Sequence, residues 1–136
     1  MEDGDEISRI EIINMLGHGI LAGAGELSQS LVRGGHMDYN WLVGHLSDYA
    51  GIAALTAYPL LFAKRTKTKI ISTLVIPTIY SVLETLPLVS GVNTVYDPQD
   101  IACYFGGALV ALGVKELASR LKSKKEGKLE RITNDI

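Results

Sequence analysis

Apolar residues in this chain gather in four long blocks instead of recurring at every third or fourth position. The blocks cover 10–32, 41–63, 69–89 and 99–118. Each approaches the roughly 20 residues that cross a ~30 Å hydrocarbon layer as a helix. A helix of a soluble bundle carries a polar face that returns every 3.6 residues. The segment 70–83, IISTLVIPTIYSVL, has no polar side chain beyond Ser, Thr and Tyr. The pattern predicts an all-α fold, a four-transmembrane-helix bundle forming one domain, with a basic tail over 119–136. The competing reading is a soluble bundle of unusually apolar helices.

Charge sets the expected orientation, because Lys and Arg collect in short cytoplasmic loops. Lys64, Arg65, Lys67 and Lys69 follow the second block, and Arg120, Lys122, Lys124, Lys125, Lys128 and Arg131 fill the tail. Lys115 is close enough to snorkel to the same surface. An even number of passes puts these residues and Arg9 on one side, so both termini are expected in the cytoplasm. Of the 13 Lys and Arg, only Arg33 falls on the other side. That outer side would hold loops 33–40 and 90–98, with Tyr39, Trp41 and Tyr96 as interfacial aromatics.

The acidic start (Glu2, Asp3, Asp5, Glu6) has the wrong sign for a signal peptide, so the first block is expected to remain. Ser8 is expected to cap the first helix, with Glu11 closing a capping box. The cell membrane is the expected location and the lipid bilayer the expected partner. The basic tail reads either as a contact for anionic lipid headgroups or as a topology determinant ending in a frayed helix. A net charge of −2 gives no electrostatic case for nucleic acid. The lone Cys103 rules out an internal disulfide or a Cys-based zinc site and reads as a small packing residue.

Ionisable residues at membrane depth cost roughly 2.5–3.5 kcal/mol each and so point to function. His18, Ala22 and Glu26 recur at four-residue spacing, continued by Gln29. His45 and Asp48 are three apart and share a face. Thr73, Pro77, Tyr80 and Glu84 form a third stripe, and Asp100, Tyr104, Gly107 and Ala111 a fourth. His45, Asp48, Glu84, Asp97 and Asp100 all fall in the outer half of their blocks, with Glu26 toward the outer end of the first. The inner halves are apolar apart from Thr56 and Tyr58. This asymmetry predicts a cup open to the outer face, lined by His45, Asp48, Glu84, Asp100 and Glu26 as ligand-binding residues.

Plainer readings stand beside these. Asp97-Pro98-Gln99-Asp100 also spells a helix start, with Asp97 as N-cap and Pro98 at the first position. His45 and Asp48 can simply partner each other, and Glu84 can be a protonated, buried acid. Gly19-x-x-x-Gly23, Ser47-x-x-x-Gly51 and Gly107-x-x-x-Ala111 permit close helix contact, within a bundle or in a homo-oligomer. Pro77 is expected to kink the third helix unless neighbours take up the freed carbonyl.

Gly44-His45-Leu46, then Glu84, then Asp97-Pro98-Gln99-Asp100-Ile101 opening a span with Gly106-Gly107-Ala108, follow one another over 41–114. In this order and spacing the chain resembles the VanZ-like family of small integral membrane proteins. That family commonly has Gln, Arg and Asn where this chain has Pro87, Thr94 and Tyr104. The resemblance implies a multi-pass membrane protein linked to glycopeptide-antibiotic resistance, and implies no particular reaction.

Three functions are consistent with these residues. The first is an outward-facing pocket that binds a lipid headgroup or small polar ligand. The second is a membrane-embedded metal-dependent hydrolase or transferase acting on a lipid-linked substrate. One His, three carboxylates and no thiol suit zinc, manganese or magnesium, although there is no His-Glu-x-x-His run and no nucleophile signature. The third is a small transporter or scaffold subunit. Transport through Glu26 or Glu84 needs polar access from both faces, which the apolar inner halves disfavour. The residues name no cofactor and no particular metal.

Overall fold

Each helix begins close to where a block begins, and three begin on a side-chain cap. The computed structural model describes residues 7–90 and 97–136, the side chains of 87–90 excepted. The acidic start, the loop with Thr94 and Tyr96, and the Pro87 side chain lie outside the described residues. Four helices make up an all-α bundle: α1 (Arg9–Arg33), α2 (Trp41–Phe62), α3 (Thr66–Ser90) and α4 (Pro98–Asn134). Ser8 caps α1 by accepting from Ile10 N, and Glu11 reaches back to Ser8 N at 3.1 Å, a complete capping box. Asn40 caps α2 by accepting from Val43 N at 2.9 Å. Asp97 caps α4 by accepting from Gln99 N at 2.8 Å, with Pro98 at the first helical position. After α1 the chain turns through Gly35, whose φ of 74° only a residue without Cβ adopts cheaply.

α4 is far longer than its apolar block. Its 37 residues extend about 55 Å at 1.5 Å per residue, so the tail is a helix to Asn134 and not a frayed end. Spaced Lys–Glu positions such as Lys122 and Glu126, 4.0 Å apart at i,i+4, support this exposed part.

The parallel pair α2 and α4 forms the middle of the bundle. His45 meets Asp100, and Lys115 Nζ meets Leu61 O, sequence separations of 55 and 54 residues that fix a constant parallel register. α1 and α3 flank this pair antiparallel and, among the described residues, do not touch each other. The seam between α2 and α4 is built from small residues: Ala50, Ala53, Ala57, Gly107, Ala108 and Ala111 are all buried. A Cβ on Gly107 would run into the Tyr49 carbonyl oxygen and lie 3.1 Å from Ala53 N. On the α1 side, a Cβ on Gly25 would lie 2.6 Å from Ser47 N.

Gly19 and Gly23, by contrast, have open space where a Cβ would stand. They take no part in packing the described helices; Gly25 and Ala22 face α2 instead. Large side chains point the other way. Ile13, Leu16, Ile20, Phe62, Ile79 and Leu109 are each exposed by half or more. α3 remains one helix through Pro77, which is fully buried.

Cross-helix ion pairs close the basic end. Lys115 reaches Glu11 at 2.6 Å with both side chains nearly buried, tying α4 to α1. Lys69 reaches Glu116 at 2.8 Å, tying α3 to α4.

The α2–α4 seam makes a stability prediction. Gly113→Ala, where a Cβ meets nothing within 4 Å, is expected to be neutral or to stabilise by up to ~1 kcal/mol through helix propensity. Gly107→Ala is expected to destabilise by ~1–3 kcal/mol through overpacking. Thermal unfolding in detergent compares them, and equal midpoints would contradict the close backbone approach.

Candidate metal centre

The end of the bundle opposite the ion pairs gathers its acidic residues, because α2 and α4 both start there and α3 ends there. His45 lies one turn into α2, and its side chain is only 5% exposed. Its Nδ1 lies 2.7 Å from Asp100 Oδ1 in the first turn of α4. Its Nε2 lies 3.9 Å from Asp97 Oδ2 on the other side of the ring. Asp48 stands one turn further along α2, beside the same pair. One donor atom from each of His45, Asp48 and Asp100 lies within 4.8 Å of the other two.

Neighbouring groups hold this cluster in place. Trp41 packs tilted against His45 with ring centroids 4.9 Å apart, and its Nε1 donates to Gln99 Oε1 at 2.6 Å, bridging the starts of α2 and α4. Tyr104 lies one turn below Asp100 and donates its hydroxyl to Glu84 Oε2 at 3.2 Å. Tyr80 packs edge-on against Tyr104, with centroids 5.8 Å apart. Glu84 thus joins the same polar region through Tyr104.

Of the five residues expected to line the cup, three converge directly and Glu84 is attached through a tyrosine. Glu26 is exposed and stands outside the group. Helix geometry explains its displacement. At ~100° per residue, Gly25 lies ~20° from His18 around α1, whereas Glu26 lies ~80° away. The stripe facing α2 is therefore His18, Ala22, Gly25 and Gln29. His18 is occupied structurally, between Asn14 O at 2.9 Å and Tyr49 OH at 3.2 Å. Gln29 donates to both Gly44 O and Ser47 Oγ at 2.9 Å.

Asp97 and Asp100 both stand at the start of α4 and both face His45. Asp97 is the N-cap of α4, and its carboxylate also faces the imidazole. Asp100 has the position of a first-turn acid, but its side chain is engaged by His45. Beside the cluster lies a cleft of ≈ 320 Å³ bordered by His45 and Asp100, which the sequence had named for a cup, and by Gln29, Arg33, Tyr39 and Asp97, which it had not. The available signal was Arg33, the lone cation on its side of the chain. Tyr104 also carried a signal, being four residues after Asp100 on one face.

The donor set suits a borderline or hard divalent ion: one imidazole with carboxylates and no thiolate. Ligands about 2.0–2.2 Å from such an ion stand roughly 3–4 Å apart. His45 and Asp100 are closer than that because a proton lies between them. A cation in that place needs the 2.7 Å pair to spread by roughly 0.3–1.3 Å, with Asp48, now within 4.8 Å, drawn into the same range. Asp97, on the far nitrogen, then orients the ring from outside the ligand set.

No family model, no curated protein and no solved structure matches this chain. The chemistry of the site therefore follows from its own atoms.

The His45–Asp100 contact ties two helices whose starts are otherwise held by few polar groups. A double-mutant cycle of His45→Ala and Asp100→Ala, read by thermal unfolding with chelator present, is expected to give a coupling of ~1.5–3 kcal/mol. Additive effects would contradict the contact.

Proposed function

We propose that this chain is a multi-pass membrane protein that binds a divalent metal ion through His45, Asp48 and Asp100 and uses it to hydrolyse, or transfer a group from, a lipid-linked substrate. The convergence of those three donors from α2 and α4 carries the reading. Membrane insertion is supported by the inside-out distribution of side chains. Small residues fill the seams while large aliphatic ones face outward, as expected where lipid replaces water around the bundle. α3 over Thr66–Leu86 and α4 are long and apolar enough to cross. α1 and α2 are taken to cross beside them, with the basic end cytoplasmic under the positive-inside rule. VanZ-like membership belongs to this proposal too and rests on the sequence motifs alone.

The residues divide the work by position. A bound divalent ion would polarise an ester or phosphoester oxygen and supply hydroxide from water near neutral pH. His45, Asp48 and Asp100 would hold it, and Trp41 would fix the imidazole plane. Arg33, on the cleft wall, offers a guanidinium to an anionic group of the substrate. Asp97 opens into the same cleft and is the carboxylate with access to a proton there. The apolar outer faces of α1 and α2 leave a lipid tail beside the bundle while its polar head occupies the cleft.

The ≈ 320 Å³ cleft also favours a second reading, a pocket that binds a lipid headgroup without turning it over. Elemental analysis of chain purified without chelator separates the readings, followed by assays on polyprenyl phosphates and diphosphates in micelles. The proposal expects about one divalent ion per chain, lost in Asp48→Asn and retained in Glu26→Gln, and metal-dependent release of the head. Metal without turnover would leave the binding pocket, and metal-free protein with inert Asp48→Asn would remove the catalytic reading.

A further inference from the structure

Gln29 borders the cleft beside the metal centre, and only half of its amide is in use. Its Nε2 donates to Gly44 O and to Ser47 Oγ, both at 2.9 Å, which occupies both amide hydrogens. Gly44 O can only accept, so the nitrogen faces α2 and the amide oxygen lies on the other edge. That oxygen accepts no hydrogen bond among the described residues, and it is accessible. The two bonds to α2 hold it still, so it is an acceptor in a fixed direction. Arg33 follows one turn along α1 on the same wall, about 6 Å away between Cβ atoms. Its guanidinium has no ion pair or hydrogen bond among the described residues. Tyr39 completes this wall, its ring filling the space that a Gly44 side chain would need. Across the cleft, Asp97 offers a further acceptor beside His45. A bare phosphate supplies acceptors only. It would answer Arg33 and leave Gln29 and Asp97 without donors.

We propose that Gln29 sets the specificity of the cleft: its amide oxygen accepts from a hydroxyl of the substrate head, while Arg33 meets the anionic ester one turn away. The ligand class is a phosphate ester whose head continues into a polyol, as in glycerol phosphate. This names the substrate class of the site proposed above and rests on that cleft being where the head lies. An oriented acceptor rejects an analogue without the matching hydroxyl, because the acceptor then loses water and gains no partner. Gln29 touches neither the metal donors nor their partners, so it acts on the choice of substrate and not on the metal.

Lipid binding to the full chain in detergent, counted by native mass spectrometry, tests it with phosphatidylglycerol and phosphatidylpropanol as probes. The two carry the same charge and differ only in the hydroxyls of the head, so metal and Arg33 cancel in their ratio. The chain is expected to favour phosphatidylglycerol by about three- to tenfold, with or without chelator. Gln29→Met is expected to bring the ratio within about twofold of unity by weakening phosphatidylglycerol alone. Ser47→Ala removes one bond that holds the amide but keeps its oxygen, and is expected to retain the ratio. Arg33→Gln is expected to weaken both lipids by about fivefold or more and to retain the ratio as well. A ratio near unity in the unmodified chain would overturn the proposal. A collapse in Ser47→Ala equal to that in Gln29→Met would overturn it too, by making the amide a packing contact. Discrimination by metal-free protein would keep this proposal while removing the metal reading. Glycerol phosphate is the competing probe. Displacement of the lipid at millimolar concentration marks the head alone as the ligand, and failure to displace marks the head with its tails; both support the role of Gln29.

Discussion

Everything at the acidic end depends on how closely α2 and α4 approach. The two helices run parallel with backbone nearly touching backbone at Gly107 and Tyr49. Alanines continue that seam toward the other end. Because α2 and α4 start on the same side and keep one register, His45 lies over Asp100 and Asp48 beside it. A larger residue in the seam would separate the two helix starts and scatter the three donors. The same contact leaves Leu61 O within 3.4 Å of Lys115 Nζ at the opposite end. One packing constraint thus fixes both polar ends of the molecule.

The two ends are chemically opposite. One gathers carboxylates about an imidazole, and the other gathers lysines about a few carboxylates. Between them the seams carry small hydroxyls, such as the buried Thr56 and Thr73, and the His18–Tyr49 pair joins α1 to α2. Charges without partners are costly inside such a structure. Accordingly Glu11 with Lys115, Lys69 with Glu116, and His45 with Asp100 all pair across helices instead of along one.

Much of the fold was legible because uninterrupted apolar blocks and local caps are short-range signals. Ser8 with Glu11, and Asp97 with Pro98, mark helix starts by spacing alone. The share of a face by His45 and Asp48 was likewise a local matter. What sequence could not supply was rotation and partner choice. Asp100 reads equally as a first-turn acid and as part of a cup, and only the contact with a histidine 55 residues earlier names its partner. Glu26 looked like part of the α1 stripe because steps of four drift around a helix of 3.6 residues per turn. Gly19-x-x-x-Gly23 fits a packing motif, yet the contact was made by Gly25, one step to the side. The tail looked like an end that frays because its apolar block stops near Ala118, and propensity with i,i+4 charge pairs carries the helix onward.

X-ray absorption at the metal edge of zinc- or manganese-loaded protein tests the central claim most directly. Imidazole and carboxylates meeting between α2 and α4 predict one nitrogen-donor ring and oxygen neighbours at about 2.0–2.2 Å, with no sulfur, and loss of the ring signal in His45→Ala. An all-oxygen shell that His45→Ala leaves unchanged, or a sulfur neighbour from Cys103, would contradict it.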